Sequence, residues 1–189
     1  MLGINLREMQ ITNDQLKKIY PLSKEENRQK YLGWLNHYAE IYGINTFERW
    51  CAFLAQIGHE SVQLKYVEEI ASGEAYEGRL NLGNVHKGDG KKYKGRGLIH
   101  VTGRGNYTAF EKWIIDVPIG CDFLESPELL KEPQYAVLSA FWFWSVNLLN
   151  RFCTLKEDDF ITLTKRINGG LNGYTDRYNI WKRAMEVLK

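Results

Sequence analysis

Glu60 and Glu69, nine positions apart, lie in the stretch of this chain best equipped for acid–base chemistry. Glu60 sits near the end of an apolar run, Gln56-Ile57-Gly58-His59-Glu60-Ser61, and Glu69 follows a short extended segment, Leu64 to Glu68. A glycine-rich polar stretch comes next, from Gly88-Asp89-Gly90 to Gly95-Arg96-Gly97-Leu98-Ile99-His100-Val101-Thr102-Gly103. An acetal is cleaved when one carboxylic acid protonates the leaving oxygen while a carboxylate acts from the opposite face of the sugar. The acid needs apolar surroundings and the base a wetter, polar setting. By those criteria Glu60 suits the acid and Glu69 the base. Spacing alone carries little, because most glutamates are solvated surface residues. Glu68 competes with Glu69, but neighbours in an extended segment point to opposite sides, so one of the two faces a cleft. The expectation is Glu69.

The elements that must position these groups read mostly as helices. Thr12-Asn13-Asp14-Gln15 has capping-box spacing ahead of Leu16, Ile19 and Tyr20, and Ser23-Lys24-Glu25-Glu26 repeats the signal after Pro21. The second helix carries Tyr31, Leu32, Leu35 and Tyr38 on one face and stops near Gly43. A third begins at Asn45-Thr46 and places Trp50, Phe53, Leu54 and Ile57 at helical spacing. At 100° per residue Glu60 falls about 80° from Trp50, on the edge of that apolar stripe. Helical order then fails in the glycine-rich middle, where Tyr93-Lys94 and Leu98 to Thr102 read as short strands of a hairpin or small sheet. Helices resume over Asn106 to Trp113, after Ser126-Pro127-Glu128, from Tyr135 to Asn150 and from Asp159 to Arg166. A turn at Gly169 to Gly173 precedes a last helix from Asp176 to Leu188. No repeat or linker interrupts the chain. The fold expected is α+β and mainly α-helical, one lysozyme-like bilobal domain over 1–189 with a small β-hairpin or sheet at the cleft.

Two blocks carry a resemblance to a known family: Gly95 to Tyr107, and Ile167-Asn168-Gly169-Gly170-Leu171-Asn172-Gly173. With His59-Glu60-Ser61 they resemble, in the same order, the signature blocks of glycoside hydrolase family 19, chitinases and phage or prophage endolysins; the likeness covers roughly residues 50–185. The resemblance implies an inverting hydrolase with Glu60 as general acid and Glu69 as general base, their carboxyl groups roughly 6.5–9.5 Å apart. It further implies that Thr102 helps hold the attacking water. Asn106, Asn168 and Arg177 would bind sugar or tie the carboxylates into a network, and His59 is the histidine preceding the acid. Ala71 to Arg79 is similar to the endolysin-like branch, which makes Tyr76 and Glu77 candidate cleft residues. His100 departs from the family's usual glutamine and introduces a pH-sensitive imidazole. Ser61-Val62-Gln63-Leu64 stands where a glycine pair is more usual.

Bulk properties narrow the alternatives. A formal charge of +2 over 189 residues, with no dominant basic block, argues against a nucleic-acid binder. Six tryptophans and eleven tyrosines are many, and most of them are expected in the core, with some free to stack on sugar rings. Cys51, Cys121 and Cys153 have no metal spacing and read as reduced thiols. His59-Glu60 is no zinc motif because position 63 is Gln, so neither metal nor cofactor is expected. Met1 to Gln10 lacks the apolar core of a secretion leader, and Ala136 to Leu149 is too short to span a bilayer. The expectation is therefore a monomeric endolysin-type glycosidase of bacterial peptidoglycan, made in the cytoplasm and reaching the wall by a holin-type route. The rival readings are a chitinase, a lytic transglycosylase and a non-catalytic glycan-binding protein.

Overall fold

The structure, a computed structural model, describes residues 9–114 and 121–189; of the leader reading, residues 1–8 lie outside the described residues. Eight α-helices are present among them. The first three are α1 (Asn13–Ile19), α2 (Glu25–Ile41) and α3 (Phe47–Glu60). A one-turn α4 (Asp89–Lys92) and α5 (Arg104–Trp113) follow, then α6 (Pro133–Val146), α7 (Glu157–Asn168) and α8 (Tyr174–Leu188).

Thr12 builds the expected capping box, its hydroxyl accepting from Gln15 N at 3.2 Å while Gln15 Oε1 accepts from Thr12 N at 2.9 Å. The second capping signal resolves differently. The Ser23 hydroxyl donates to the Tyr20 carbonyl at 2.6 Å and accepts from Arg28 Nη1 at 3.0 Å, so Lys24 opens α2 without a side-chain cap.

Helix α3 is the axis of the molecule. Every residue from Trp50 to Gly58 is buried, and α3 packs along α8 while α2 lies on α6 and α1 on α8. Tyr20 fixes the α1–α3 approach: its hydroxyl donates to the Leu54 carbonyl at 2.5 Å, and its ring lies where a Cβ on Gly58 would be, at 2.5 Å. Helix α6 is buried almost all round, as its composition implies, and packs Phe141 against Phe53, tilted by 33° with 4.5 Å between centroids. It stops at Val146, short of the expected Asn150, because Leu148 turns into the left-handed region at φ +52°. Burial holds the Cys51 and Cys153 thiols free and protonated, pushing each up to about 12.

The expected hairpin contracts to two isolated bridges, Glu68 with Arg96 and Arg96 with Val101. The residues between cannot extend a strand, since Gly97 (φ +82°) and His100 (φ +53°) both take left-handed backbone. Leu98 to His100 form instead a tight turn closed by the Arg96–Val101 pair, whose two N–H···O bonds are 3.1 and 2.8 Å. Among the described residues no longer strand is formed.

Candidate active site

Glu60 is the last residue of α3, and the first turn of α8 meets it there. Arg177, 1% exposed, donates from Nη2 to Glu60 Oε1 at 2.5 Å and from Nη1 to Gln56 Oε1 at 2.7 Å. Gln56 in turn donates to Thr164 Oγ1 of α7 at 3.1 Å, so one polar chain threads three helices to reach Glu60. One residue earlier, His59 Nδ1 lies 2.7 Å from Asp176 Oδ2. His59–Asp176 and Glu60–Arg177 are thus successive rungs between α3 and α8. The ring of His59 rests on Gly173, where a Cβ would stand 2.1 Å from Nε2, and Gly173 (φ +70°) has the backbone only glycine adopts freely. Asn168, the last residue of α7, donates to the Asn172 carbonyl at 3.4 Å, which also receives Arg177 Nε at 3.4 Å. The Asn168 turn therefore belongs to the Arg177 network.

After Glu60 the chain reverses through an unusual device. Val62, Gln63 and Leu64 are three consecutive non-glycine residues in left-handed backbone, at φ +50°, +56° and +68°. Such residues cost about 1–2 kcal/mol each, so the turn needs anchors. Ser61 Oγ supplies two, donating to the Ile57 carbonyl at 2.6 Å and accepting from Leu64 N at 2.8 Å. Buried Gln63 supplies a third by accepting Leu22 N at 2.9 Å. This turn delivers Val67 to Glu69 alongside Gly95 to Gly97.

Glu68 and Glu69 part company there. Glu68 accepts from Arg96 Nε at 2.9 Å, with Lys94 and Lys131 Nζ each 3.6 Å away. Partial burial works against its charged form, but Arg96, Lys131 and Lys94 outweigh it and hold its carboxyl below the ordinary value. Glu69 lies on the other side. Its Oε2 accepts the Tyr76 hydroxyl and its Oε1 the Gly95 N–H, both at 2.8 Å. Burial and the bond to Glu69 push the Tyr76 phenol above its usual range.

Burial pushes the His100 imidazole below the ordinary histidine value, while the charges of Glu60 and Glu69 pull the other way. A Cβ built on Gly95 would stand 3.0 Å from His100 Cβ, 3.2 Å from Thr102 Oγ1 and 3.4 Å from Glu69 Cδ, so these three side chains converge on one glycine. Thr102 donates its hydroxyl to the His100 carbonyl at 2.8 Å, which leaves the oxygen as an acceptor. Asn106 sits one helical turn on, exposed, its Nδ2 donating to the Thr102 carbonyl at 2.8 Å.

Glu77 is placed elsewhere. Both its oxygens accept backbone N–H groups, from Gly88 at 2.6 Å and Gly90 at 2.9 Å, so it fastens the start of α4 rather than facing the carboxylate pair. Those bonds hold its carboxyl below the usual value. The loop it closes is locked onto α5 by Asp89, which is 2% exposed and paired with Arg104 through two bonds of 2.6 and 2.9 Å. Gln56, Thr164 and Asp176 carry no sequence signal, since their partners lie 108 to 121 residues away for Gln56 and 117 for Asp176. Among the described residues no group of His, Cys, Asp and Glu could hold a metal ion.

No family model matches the chain. Over 117 residues it is 36% identical to a glycosyl hydrolase family 19 domain-containing protein of Haemophilus influenzae, covering 62% of this chain and 53% of that protein. Over 144 residues it is 32% identical to an endochitinase of Arabidopsis thaliana, covering 76% of this chain and 47% of the other. The chain spans about half the length of the curated relatives it matches. Among solved structures, a family GH19, class IV chitinase from Zea mays superposes with a TM-score of 0.69 at 21% identity, over 94% of this chain and 92% of that one. The chain is thus similar in sequence to glycoside hydrolase family 19 proteins and has the fold of a family 19 chitinase.

Proposed function

We propose that this chain hydrolyses β-1,4 bonds of an aminosugar polymer by inversion, with Glu60 giving a proton to the leaving oxygen and Glu69 taking one from the attacking water. The observation that carries this reading is that each carboxylate is held by its own donors, Glu60 by Arg177 and Glu69 by Tyr76 and the Gly95 N–H. Arg177 binds Oε1 of Glu60, while Oε2 makes no hydrogen bond to a described residue and is the oxygen that would carry the proton. Tyr76 and Gly95 aim two hydrogens at Glu69, an arrangement suited to a proton acceptor. The Thr102 hydroxyl oxygen beside it would accept a hydrogen from the water. Asn106 and Asn168 would touch sugar, and His59 would brace Glu60 through Asp176.

The substrate we propose is bacterial peptidoglycan, in the manner of an endolysin that acts on the wall after release. Support comes from the positive surplus next to the base. Lys94, Arg96 and Lys131 surround the single carboxylate of Glu68, and the two lysines stand at 3.6 Å, outside hydrogen-bond reach of it. A glycan whose lactyl-linked peptides carry free carboxylates complements such a surplus. Chitin is the second reading, favoured because matched relatives are named endochitinases. The deciding experiment incubates the protein with purified peptidoglycan and with chitin oligomers and follows released ends by mass spectrometry and proton NMR. Reducing-end muropeptides, formed first as the α-anomer, support the proposal; release from chitin alone gives the second reading. Anhydro-muramyl ends would show a lytic transglycosylase instead.

A further inference from the structure

His100 is positioned as a component of the site, yet none of the roles above uses its side chain. The tight turn from Gly97 to His100 ends with left-handed backbone at His100, at φ +53°, an uncommon conformation for a residue with a side chain. Its Cβ lies against Gly95, on which Thr102 and Glu69 also converge. Its Nε2 is buried without a hydrogen-bond partner, one of two such side-chain atoms among the described residues. Buried polar atoms are nearly always satisfied, and exceptions mark functional sites. The charges that favour the protonated ring are those of Glu60, at the end of α3, and Glu69, which shares the Gly95 contact with His100. Arg177 and the Tyr76 hydroxyl stand behind them as partners of those carboxylates.

We propose that His100 is a third titrating member of the site, neutral in the competent state, whose protonation weakens Glu69 as the proton acceptor. An imidazolium beside Glu69 would stabilise the negative charge of that carboxylate and so weaken it as acceptor of the water's proton. Coupling of this kind is reciprocal, so each carboxylate must also bias the imidazole. Burial is the stronger influence and favours the neutral ring, pushing His100 below the ordinary histidine value of 6.5, while Glu60 and Glu69 pull against it. Burial therefore wins, and the ring takes its proton only as the pH falls below the ordinary histidine range. Its consequence for turnover rests on the acid and base roles assigned to the carboxylates; its titration does not.

The test therefore has two arms. In the free protein, NMR follows the imidazole of His100, identified among the four histidines by the signal missing from His100→Gln. Glu60→Gln and Glu69→Gln each remove an anion that favours the charged ring, so each is expected to lower its midpoint by roughly half a unit or more. In turnover, the acid limb of kcat/KM against pH is compared between wild type and His100→Gln, reading the position of the limb rather than the height of the plateau. The limb is expected to move to lower pH when the imidazole is gone. A midpoint unmoved in both carboxylate variants overturns the proposal, and so does an acid limb unchanged in His100→Gln. If no glycan is cleaved at any pH, the hydrolase reading fails and the NMR arm alone decides.

Discussion

Arg177 and Glu60 meet across the α3–α8 interface at 2.5 Å, with the arginine side chain 1% exposed and that of the glutamate 20%. The guanidinium is divided between Glu60 and Gln56, and its planar fork suits that double duty in a way an ammonium cannot. Arg177→Lys keeps the charge and loses one of the two bonds. It is expected to lower kcat at least about tenfold, and to cost about 1.5–3 kcal/mol of stability for the lost charged hydrogen bond. Steady-state kinetics and urea unfolding on the same preparation check both. Gln56→Ala should show a similar loss of stability although it never touches substrate.

Tyr76 acts on the other carboxylate. Tyr76→Phe removes one of two donors to Glu69 and leaves the ring in place. The expected result is a fall in kcat of about tenfold, near 1.4 kcal/mol, with KM little changed. A KM effect alone would instead make Tyr76 a sugar contact.

Gly95 is a test of convergence. A methyl group there would press on His100, Thr102 and Glu69 together at 3.0–3.4 Å. Gly95→Ala should therefore lose most activity while the circular dichroism spectrum stays that of wild type, because the disturbed atoms lie at the site rather than in the helical core.

Much of this arrangement is legible in the residues, and the illegible parts have physical reasons. Helices α1, α2, α3 and α6 follow from capping signals and apolar spacing, which are local properties. The pairing of Glu60 with Arg177 is available only through resemblance, since 117 positions separate them. The choice between Glu68 and Glu69 rests on which side of an extended segment faces Arg96, a fact of tertiary pairing. Leu98 to Thr102 reads as a strand by composition, but the left-handed backbone of His100 is set by packing on Gly95. The turn at Val62 to Leu64 is hidden for a similar reason, because none of its residues is a glycine and its anchors, Ser61 and Gln63, act through bonds to Ile57, Leu64 and Leu22.

Asp89 gives the fold a pH limit distinct from that of the site. The Arg104 guanidinium holds its carboxyl at about 2, against 3.8 ordinarily. A carboxyl depressed in the folded state contributes stability that is present above the unfolded value and lost as pH falls through the folded one. The contribution should therefore decline from about pH 4 towards pH 2. Asp89→Asn removes that dependence and costs about 2–3 kcal/mol at neutral pH by leaving Arg104 without its anion. Thermal unfolding across pH 2–7 is the measurement.

The most direct test of catalysis by the carboxylate pair is the rate of glycan cleavage by Glu60→Gln, with folding verified by its unfolding transition. A proton donor at this position accounts for about 10²–10⁴ in rate, so a loss of that size or greater is expected. A variant that cleaves peptidoglycan and chitin oligomers at rates near wild type would contradict it.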